Sequence, residues 1–133
     1  MPTILSAGQC YPDQASITRT LKATFGSSVS ILSASSHEET LAQAKERAVD
    51  LILINRLYDS TGTEGLKTIV DLKADPGTAF IPVMMVSNFA HAQEAAVDLG
   101  ALPGFGKAAL NEKATSQKLQ HAVTAENRHP DNG

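Results

Sequence analysis

The sequence predicts an α/β domain in which five strands alternate with five helices and form one parallel sheet. Short apolar runs recur along the chain, and segments with a helical spacing of apolar residues separate them. The third and fourth runs are almost continuously apolar, which is typical of parallel strands buried on both faces. This alternating order favours a parallel sheet with helices packed on both of its faces. The five runs lie at 3–7, 29–34, 50–55, 81–87 and 102–107.

The segments between these runs carry signals for the ends of helices. Asp13 is predicted to cap the first helix, whose apolar residues recur every four positions, and Gly26 is predicted to end it. Ser36 and Glu39 form a capping-box pattern at the start of the second helix. The other three helices are predicted over 66–73, 89–99 and 111–123.

Length and composition restrict the classes of protein to consider. The chain has 133 residues, which is enough for one domain whose core needs no disulfide or metal. With 11 Lys+Arg and 14 Asp+Glu, the net charge is -3, and a nucleic-acid surface would need clustered basic residues. No apolar stretch approaches the roughly 20 residues that span a membrane. The single cysteine fits a reducing compartment. We therefore predict a cytoplasmic protein that binds neither nucleic acid nor membrane.

The domain is expected to occupy residues 1–125 and to be followed by a polar tail. The tail, over 126–133, contains a proline, a glycine and no apolar side chain that could join a core. A segment of this composition is predicted to be disordered.

Three segments carry a resemblance to a known family. They are DLILIN at 50–55, followed by a loop that contains glycines, IPVMMVS at 81–87, and LGALPGFGK at 99–107. In order and approximate spacing, residues 3–123 resemble the receiver domains of bacterial response regulators, the CheY-like domains of two-component signalling. The resemblance implies a flavodoxin-like (βα)5 fold with its five-stranded parallel sheet in the order 2-1-3-4-5.

The residues at the receiver phosphorylation site are only partly matched. Receivers end their fourth strand in serine or threonine and their fifth in lysine, and Ser87 and Lys107 match these positions. Their Mg²⁺-binding acidic pair is replaced by Gly8 and Gln9, and their phosphoacceptor aspartate by Asn55. Mg²⁺ prefers anionic oxygen ligands, so we expect weak or absent Mg²⁺ binding and no cofactor. A neutral amide is not the anionic nucleophile that acyl phosphate formation requires, so this site is interpreted as a degenerate phosphoacceptor site.

Two carboxylates are expected close to this site. Asp13 is interpreted as a helix cap and Asp59 as a turn residue, although either could accept phosphate from a displaced position. Lys107 is expected to hydrogen-bond Asn55, Asp59 or backbone carbonyls. Ser87 is expected to cap the fourth helix.

The remaining reactive side chains form no recognisable catalytic or metal site. Cys10 has no histidine close in sequence that would activate its thiol. None of the histidines has metal-ligand spacing, and all are interpreted as surface residues: His37, His91, His121 and His129. We therefore expect that the chain is not an enzyme.

The sequence thus predicts a receiver-like signalling domain that acts by phosphorylation-independent protein–protein interaction. As the resemblance implies, a signalling partner or a second copy would bind the fourth helix, fifth strand and fifth helix. Two alternatives stay open. One is a phosphorelay receiver that accepts phosphate at Asp59 or Asp13, and the other is a small-molecule-binding domain that uses the cleft at the strand ends.

Overall fold

The chain alternates strands and helices throughout the computed structural model, which describes residues 1–124. The strands are β1 (Thr3–Ala7), β2 (Ser30–Ala34), β3 (Leu51–Asn55), β4 (Val83–Val86) and β5 (Leu102–Phe105). The helices are α1 (Tyr11–Phe25), α2 (His37–Glu46), α3 (Gly65–Ala74), α4 (Ala90–Asp98) and α5 (Lys113–Ala122), and a 3-10 turn (Lys107–Ala109) follows β5. All strand pairs are parallel, in the order β2-β1-β3-β4-β5, so the predicted flavodoxin-like fold class and strand order are confirmed. The predicted tail over 126–133 lies outside the described residues.

The core occupies both faces of the sheet. Every residue of β3 and β4 is buried, which confirms what their continuous apolar runs predict. Because side chains alternate along a strand, Ile52 and Ile54 pack with α2, α3 and α4, while Leu51 and Leu53 pack with α1 and α5. Two helices therefore cover one face and three cover the other. Within residues 1–124, no helix combines the length and apolar content that a membrane span requires.

Most of the predicted helix ends are found, but the predicted cap of α1 is corrected. Gly26 ends α1 with a φ of 99°, a conformation that favours glycine. The Ser36 hydroxyl accepts the Glu39 N–H at 3.1 Å, as the capping pattern predicts. The prediction that Asp13 caps α1 is wrong, because the helix starts earlier and its N-cap is Cys10. Asp13 lies instead in the first turn, where the helix dipole favours a negative charge.

His37 is buried, so the surface position predicted for it is wrong. Its Nδ1 lies 2.7 Å from Thr68 Oγ1, and its Nε2 lies 2.9 Å from Asp71 Oδ2. Thr68 Oγ1 in turn lies 3.0 Å from the hydroxyl of Tyr58, which lies 2.7 Å from Thr40 Oγ1. These hydrogen bonds satisfy polar groups that would otherwise be costly to bury, and they tie α2 and α3 to the loop after β3.

Candidate functional site

The carboxyl ends of the parallel strands meet at one edge of the sheet, where α/β folds of this type place their sites. All five residues of the predicted degenerate phosphoacceptor site lie along this edge. Gly8 and Gln9 follow β1, Asn55 ends β3, Ser87 follows β4, and Lys107 opens the turn after β5. A cleft of about 300 Å³ is lined by Asn55, Arg56, Leu57, Ser87, Asn88, Phe89 and Lys107. Gly8 and Gln9 do not line this cleft.

The side-chain amide of Asn55 forms hydrogen bonds with the surrounding backbone through both its nitrogen and its oxygen. Its Nδ2 donates to the carbonyl oxygen of Gly8 at 3.0 Å and to that of Leu57 at 2.7 Å. Its Oδ1 accepts the N–H of Arg56 at 3.0 Å. An aspartate has no N–H and would face the two carbonyl oxygens with a negative charge. The local backbone therefore suits an amide at position 55 and disfavours a carboxylate.

The space beside Gly8 is occupied by the side chain of Tyr58. Gly8 has a φ of 78°, and a Cβ built on it would lie 3.0 to 3.1 Å from atoms of Tyr58. Tyr58 is 1% exposed, and this burial raises the pKa of its hydroxyl above 10.0, although hydrogen bonds with Thr40 and Thr68 oppose the rise. Position 8 therefore has neither the backbone conformation nor the room for an acidic side chain.

The side-chain amide of Gln9 is poorly hydrogen-bonded. Its Nε2 lies 3.4 Å from the carbonyl oxygen of Ala7, which is a long hydrogen bond. Its Oε1 is buried and has no hydrogen-bond partner within residues 1–124. An unsatisfied buried acceptor destabilises the fold, so Gln9 contributes neither a charge nor a well-made contact at this edge.

Lys107 forms an ion pair with Asp13, and this corrects the partners predicted for it. Its Nζ lies 2.7 Å from Asp13 Oδ2, whereas we expected Asn55, Asp59 or backbone carbonyls. The hydrogen bond from Lys107 is the largest cause that lowers the pKa of Asp13. Partial burial opposes it, and a hydrogen bond with Cys10 adds to it. The ion pair thus places the carboxylate of Asp13, contributed by α1, at the strand-end edge.

The other candidate side chains have local structural contacts. Asp59 lies in a turn, as interpreted, with an exposed side chain and its backbone N–H 2.9 Å from the carbonyl oxygen of Gly8. The Ser87 hydroxyl accepts the N–H of Phe89 at 3.1 Å. Phe89 itself is the N-cap of α4, so Ser87 supports the entry to the helix without being its cap. Arg56 places its guanidinium 4.7 Å from the centre of the Phe89 ring.

No metal site is formed by the part of the chain that the structure describes. Residues 1–124 contain no group of three or more His, Cys, Asp or Glu side chains placed to hold a metal ion. His91 and His121 are exposed, as interpreted, and His129 lies outside the described residues. Tyr58 is the residue that the sequence analysis missed, and the only signal for it was a large aromatic side chain in a polar loop.

Comparisons of structure identify similar proteins, whereas comparisons of sequence do not. No protein-family model matches the chain, and no curated protein matches its sequence. The signal receiver domain of a DNA-binding response regulator from Colwellia psychrerythraea 34H has 22% identity and a TM-score of 0.77, covering 92% of this chain and 98% of that chain. The chemotaxis response regulator CheY4 of Vibrio cholerae has 16% identity and a TM-score of 0.70 over 93% and 99% of the two chains. The Mn²⁺-bound form of the response regulator Rcp1 has 15% identity and a TM-score of 0.67 over 96% and 95%. The chain therefore has the fold of response-regulator receiver domains.

Proposed function

We propose that this chain is a receiver-like signalling domain that acts through phosphorylation-independent protein contacts and is not an enzyme. The observation that carries the proposal is the arrangement at the strand ends. The Asn55 amide is held by two carbonyl oxygens, and Tyr58 occupies the space beside Gly8. Acyl phosphate formation needs an anionic nucleophile, and Mg²⁺ needs anionic ligands. Neither group is present at these positions.

Weak or absent Mg²⁺ binding follows from the same arrangement. The Rcp1 structure is of a Mn²⁺-bound form, so at least one protein of this fold binds a divalent cation. In the present chain, the carboxylate of Asp13 is already paired with Lys107 at 2.7 Å. A cation bound there would have to break this ion pair or share the carboxylate with a lysine. Both cost free energy, and this cost weakens the binding of a cation at Asp13.

The contact surface is proposed to be formed by α4, β5 and α5. Val97 of α4 is 41% exposed, and Leu99 directly after the helix is 37% exposed. Large apolar side chains that remain exposed can contribute to a surface that binds another protein. The partner would be a signalling protein or a second copy of the chain, and sedimentation analysis over a range of concentrations distinguishes the two.

Nuclear magnetic resonance tests the central claim. We would record ¹⁵N–¹H spectra while Mg²⁺ is added, and then Mg²⁺ with beryllofluoride, which mimics a phosphoryl group. We expect no saturable shift at the amides of Asn55, Ser87 and Lys107 at millimolar metal. Saturable shifts at these amides would overturn the proposal, and repeating the titration with Asp13→Asn and Asp59→Asn would identify the carboxylate responsible.

The ion pair between Asp13 and Lys107 favours one alternative, a phosphorelay receiver with a displaced phosphoacceptor. It singles out Asp13, because Asp59 is exposed in its turn and forms no ion pair within residues 1–124. Acetyl phosphate with Mg²⁺, followed by intact-mass measurement, tests this alternative. An added phosphoryl group that is lost in Asp13→Asn and kept in Asp59→Asn would establish it.

A polar cavity favours the other alternative, a domain that binds a small molecule. The cavity has a volume of about 430 Å³ and adjoins the unsatisfied Gln9. Its lining is Ser6, Gln9, Tyr11, Gln14, Ser33, Ala34, Ser35 and Glu39. Ligand-detected resonance with a library of polar metabolites tests this alternative, with Gln14→Leu as the variant expected to lose binding.

A further inference from the structure

The pairing between β4 and β5 contains a bulge. Met84 pairs with Leu102, and Val86 pairs with Phe105, so β5 uses one more residue than β4 between these pairs. An extra residue in one strand interrupts the ladder and leaves backbone groups without partners in the neighbouring strand. The interruption lies beneath α4.

Gln93 of α4 supplies the missing hydrogen bonds. Its Nε2 donates to the carbonyl oxygen of Met85 at 2.9 Å and to that of Ser87 at 3.1 Å. Its Oε1 accepts the N–H of Gly104 at 3.2 Å. A glutamine amide has both donors and an acceptor, so one side chain satisfies groups on both sides of the interruption. We call this set of contacts the Gln93 clamp, and it fixes α4 to β4 and β5.

Gly104 leaves an open groove between α4 and β5. A Cβ at this position would meet the carbonyl oxygen of Met85 and would lie 2.9 Å from Gln93 Oε1. Because glycine has no side chain, none covers the strand here, and a groove of about 310 Å³ with a largely apolar surface lies beside it. The groove is lined by Gln93, Glu94, Val97, Asp98, Pro103 and Gly104.

The rim of the groove is negatively charged. Glu94 and Asp98 are four residues apart on α4, so they lie on one face of the helix. Both are exposed, and neither forms an ion pair within residues 1–124. The lining contains no basic residue. Lys118 of α5 approaches from the other side, but its Nζ donates to the carbonyl oxygen of Gly104 at 2.9 Å.

We propose that this groove binds a basic and apolar segment of a partner protein. An aliphatic side chain of the segment packs against Val97 and Pro103, and flanking Lys or Arg side chains pair with Glu94 and Asp98. The inference rests on the proposed function, because it names the chemistry of the partner for the surface of α4, β5 and α5. The Gln93 clamp holds the groove open in advance, so binding loses little free energy to ordering.

Two synthetic peptides provide the test with the whole chain. They share one pattern of leucines and differ only in carrying lysine or glutamate at the flanking positions. We expect the lysine peptide to produce saturable ¹⁵N–¹H shifts at Glu94, Val97 and Gly104, and the glutamate peptide to produce none. The double variant Glu94→Gln, Asp98→Asn should bind the lysine peptide about 3- to 10-fold more weakly, as expected for the loss of two exposed ion pairs. The Val97→Ser variant should also bind the lysine peptide more weakly.

A matched control removes the same charge elsewhere. The double variant Glu38→Gln, Glu46→Gln changes two exposed carboxylates of α2 and should bind the lysine peptide like the unmodified chain. Equal binding of the two peptides, unchanged binding by the groove variant, shifts outside the groove, or no binding at millimolar peptide would each overturn the proposal. The proposal would also be overturned if the unmodified chain dimerised and the Glu94→Gln, Asp98→Asn variant did not. That result would show that a second copy of the chain occupies the groove. The peptide titrations contain no Mg²⁺ or beryllofluoride. The proposed function is tested by the separate titration with Mg²⁺ and beryllofluoride, so failure of the groove proposal and failure of the proposed function can be told apart.

Discussion

Tyr58 covers Gly8 so closely that a Cβ built on Gly8 would lie 3.0 to 3.1 Å from atoms of Tyr58. The same glycine accepts hydrogen bonds at its carbonyl oxygen from Asn55 Nδ2 at 3.0 Å and from the N–H of Asp59 at 2.9 Å. The loops after β1 and β3 are therefore locked together across the strand ends. Packing against Tyr58 and backbone hydrogen bonds therefore occupy the space around Gly8.

Gly8→Ala is expected to lower the free energy of unfolding by about 1–3 kcal/mol, because it combines a positive φ with overpacking against Tyr58. Gly62→Ala is the matched control, since Gly62 has a similar φ of 74° but no atom within 4 Å of a built Cβ. Urea unfolding measures both variants. Equal losses in the two would show that the contact with Tyr58 contributes nothing.

The double variant Gly8→Asp, Asn55→Asp should still fail to bind Mg²⁺. Tyr58 leaves no room for a side chain at position 8, and two carbonyl oxygens surround the side chain at position 55. Isothermal titration calorimetry with Mg²⁺ measures this directly.

Tyr58→Phe should lower the free energy of unfolding by about 1 kcal/mol, because it removes the hydroxyl that bridges Thr40 and Thr68. The variant should also change the response to alkaline pH. Burial raises the pKa of Tyr58 in the folded chain above its ordinary value of 10.0, so the unfolded chain loses this proton first. Stability should then fall as the pH rises above about 10, and it should fall less in Tyr58→Phe. Urea unfolding from pH 8 upward measures this difference, and Tyr11→Phe, at an exposed tyrosine, should behave like the unmodified chain.

Lys107→Met should raise the pKa of Asp13 toward its ordinary value of 3.8, because the hydrogen bond from Lys107 is the largest cause of its depression. The folded pKa lies below the unfolded one, so the stabilisation is present above the unfolded value and is lost as the pH falls through the folded value. A ¹³C titration of the Asp13 carboxyl measures the pKa directly. Lys113→Met, a change at an exposed lysine, should leave the carboxyl unaffected. A shift of equal size in both variants would exclude the ion pair as the cause.

Gln9→Met and Gln93→Met should have different effects on the free energy of unfolding. The Oε1 of Gln9 is buried without a partner, so its removal should be neutral or should raise the free energy of unfolding by up to about 1 kcal/mol. Gln93→Met breaks the Gln93 clamp and leaves backbone groups of β4 and β5 unpaired, so it should cost about 1–3 kcal/mol. Thermal unfolding of the two variants provides the comparison, and a destabilised Gln9→Met would contradict the assignment of an unsatisfied acceptor.

The fold could be predicted because its signals are local. The continuous apolar runs that became β3 and β4, and the capping pattern of Ser36 and Glu39, depend on residues next to each other in the chain. The burial of His37 could not be predicted, because its partners Thr68 and Asp71 lie on another helix. A lone histidine in a sequence carries no sign of the acceptors that make its burial favourable.

The sequence by itself determined the alternation of strands and helices, the parallel sheet, and the residues that stand at the strand ends. These follow from side-chain type and short-range periodicity. Only the tertiary structure decided that Asp13 pairs with Lys107, that Tyr58 closes over Gly8, and that Gln93 bridges two strands. These contacts join residues far apart in the chain, and the strand order and helix packing determine which distant side chains come within hydrogen-bonding distance.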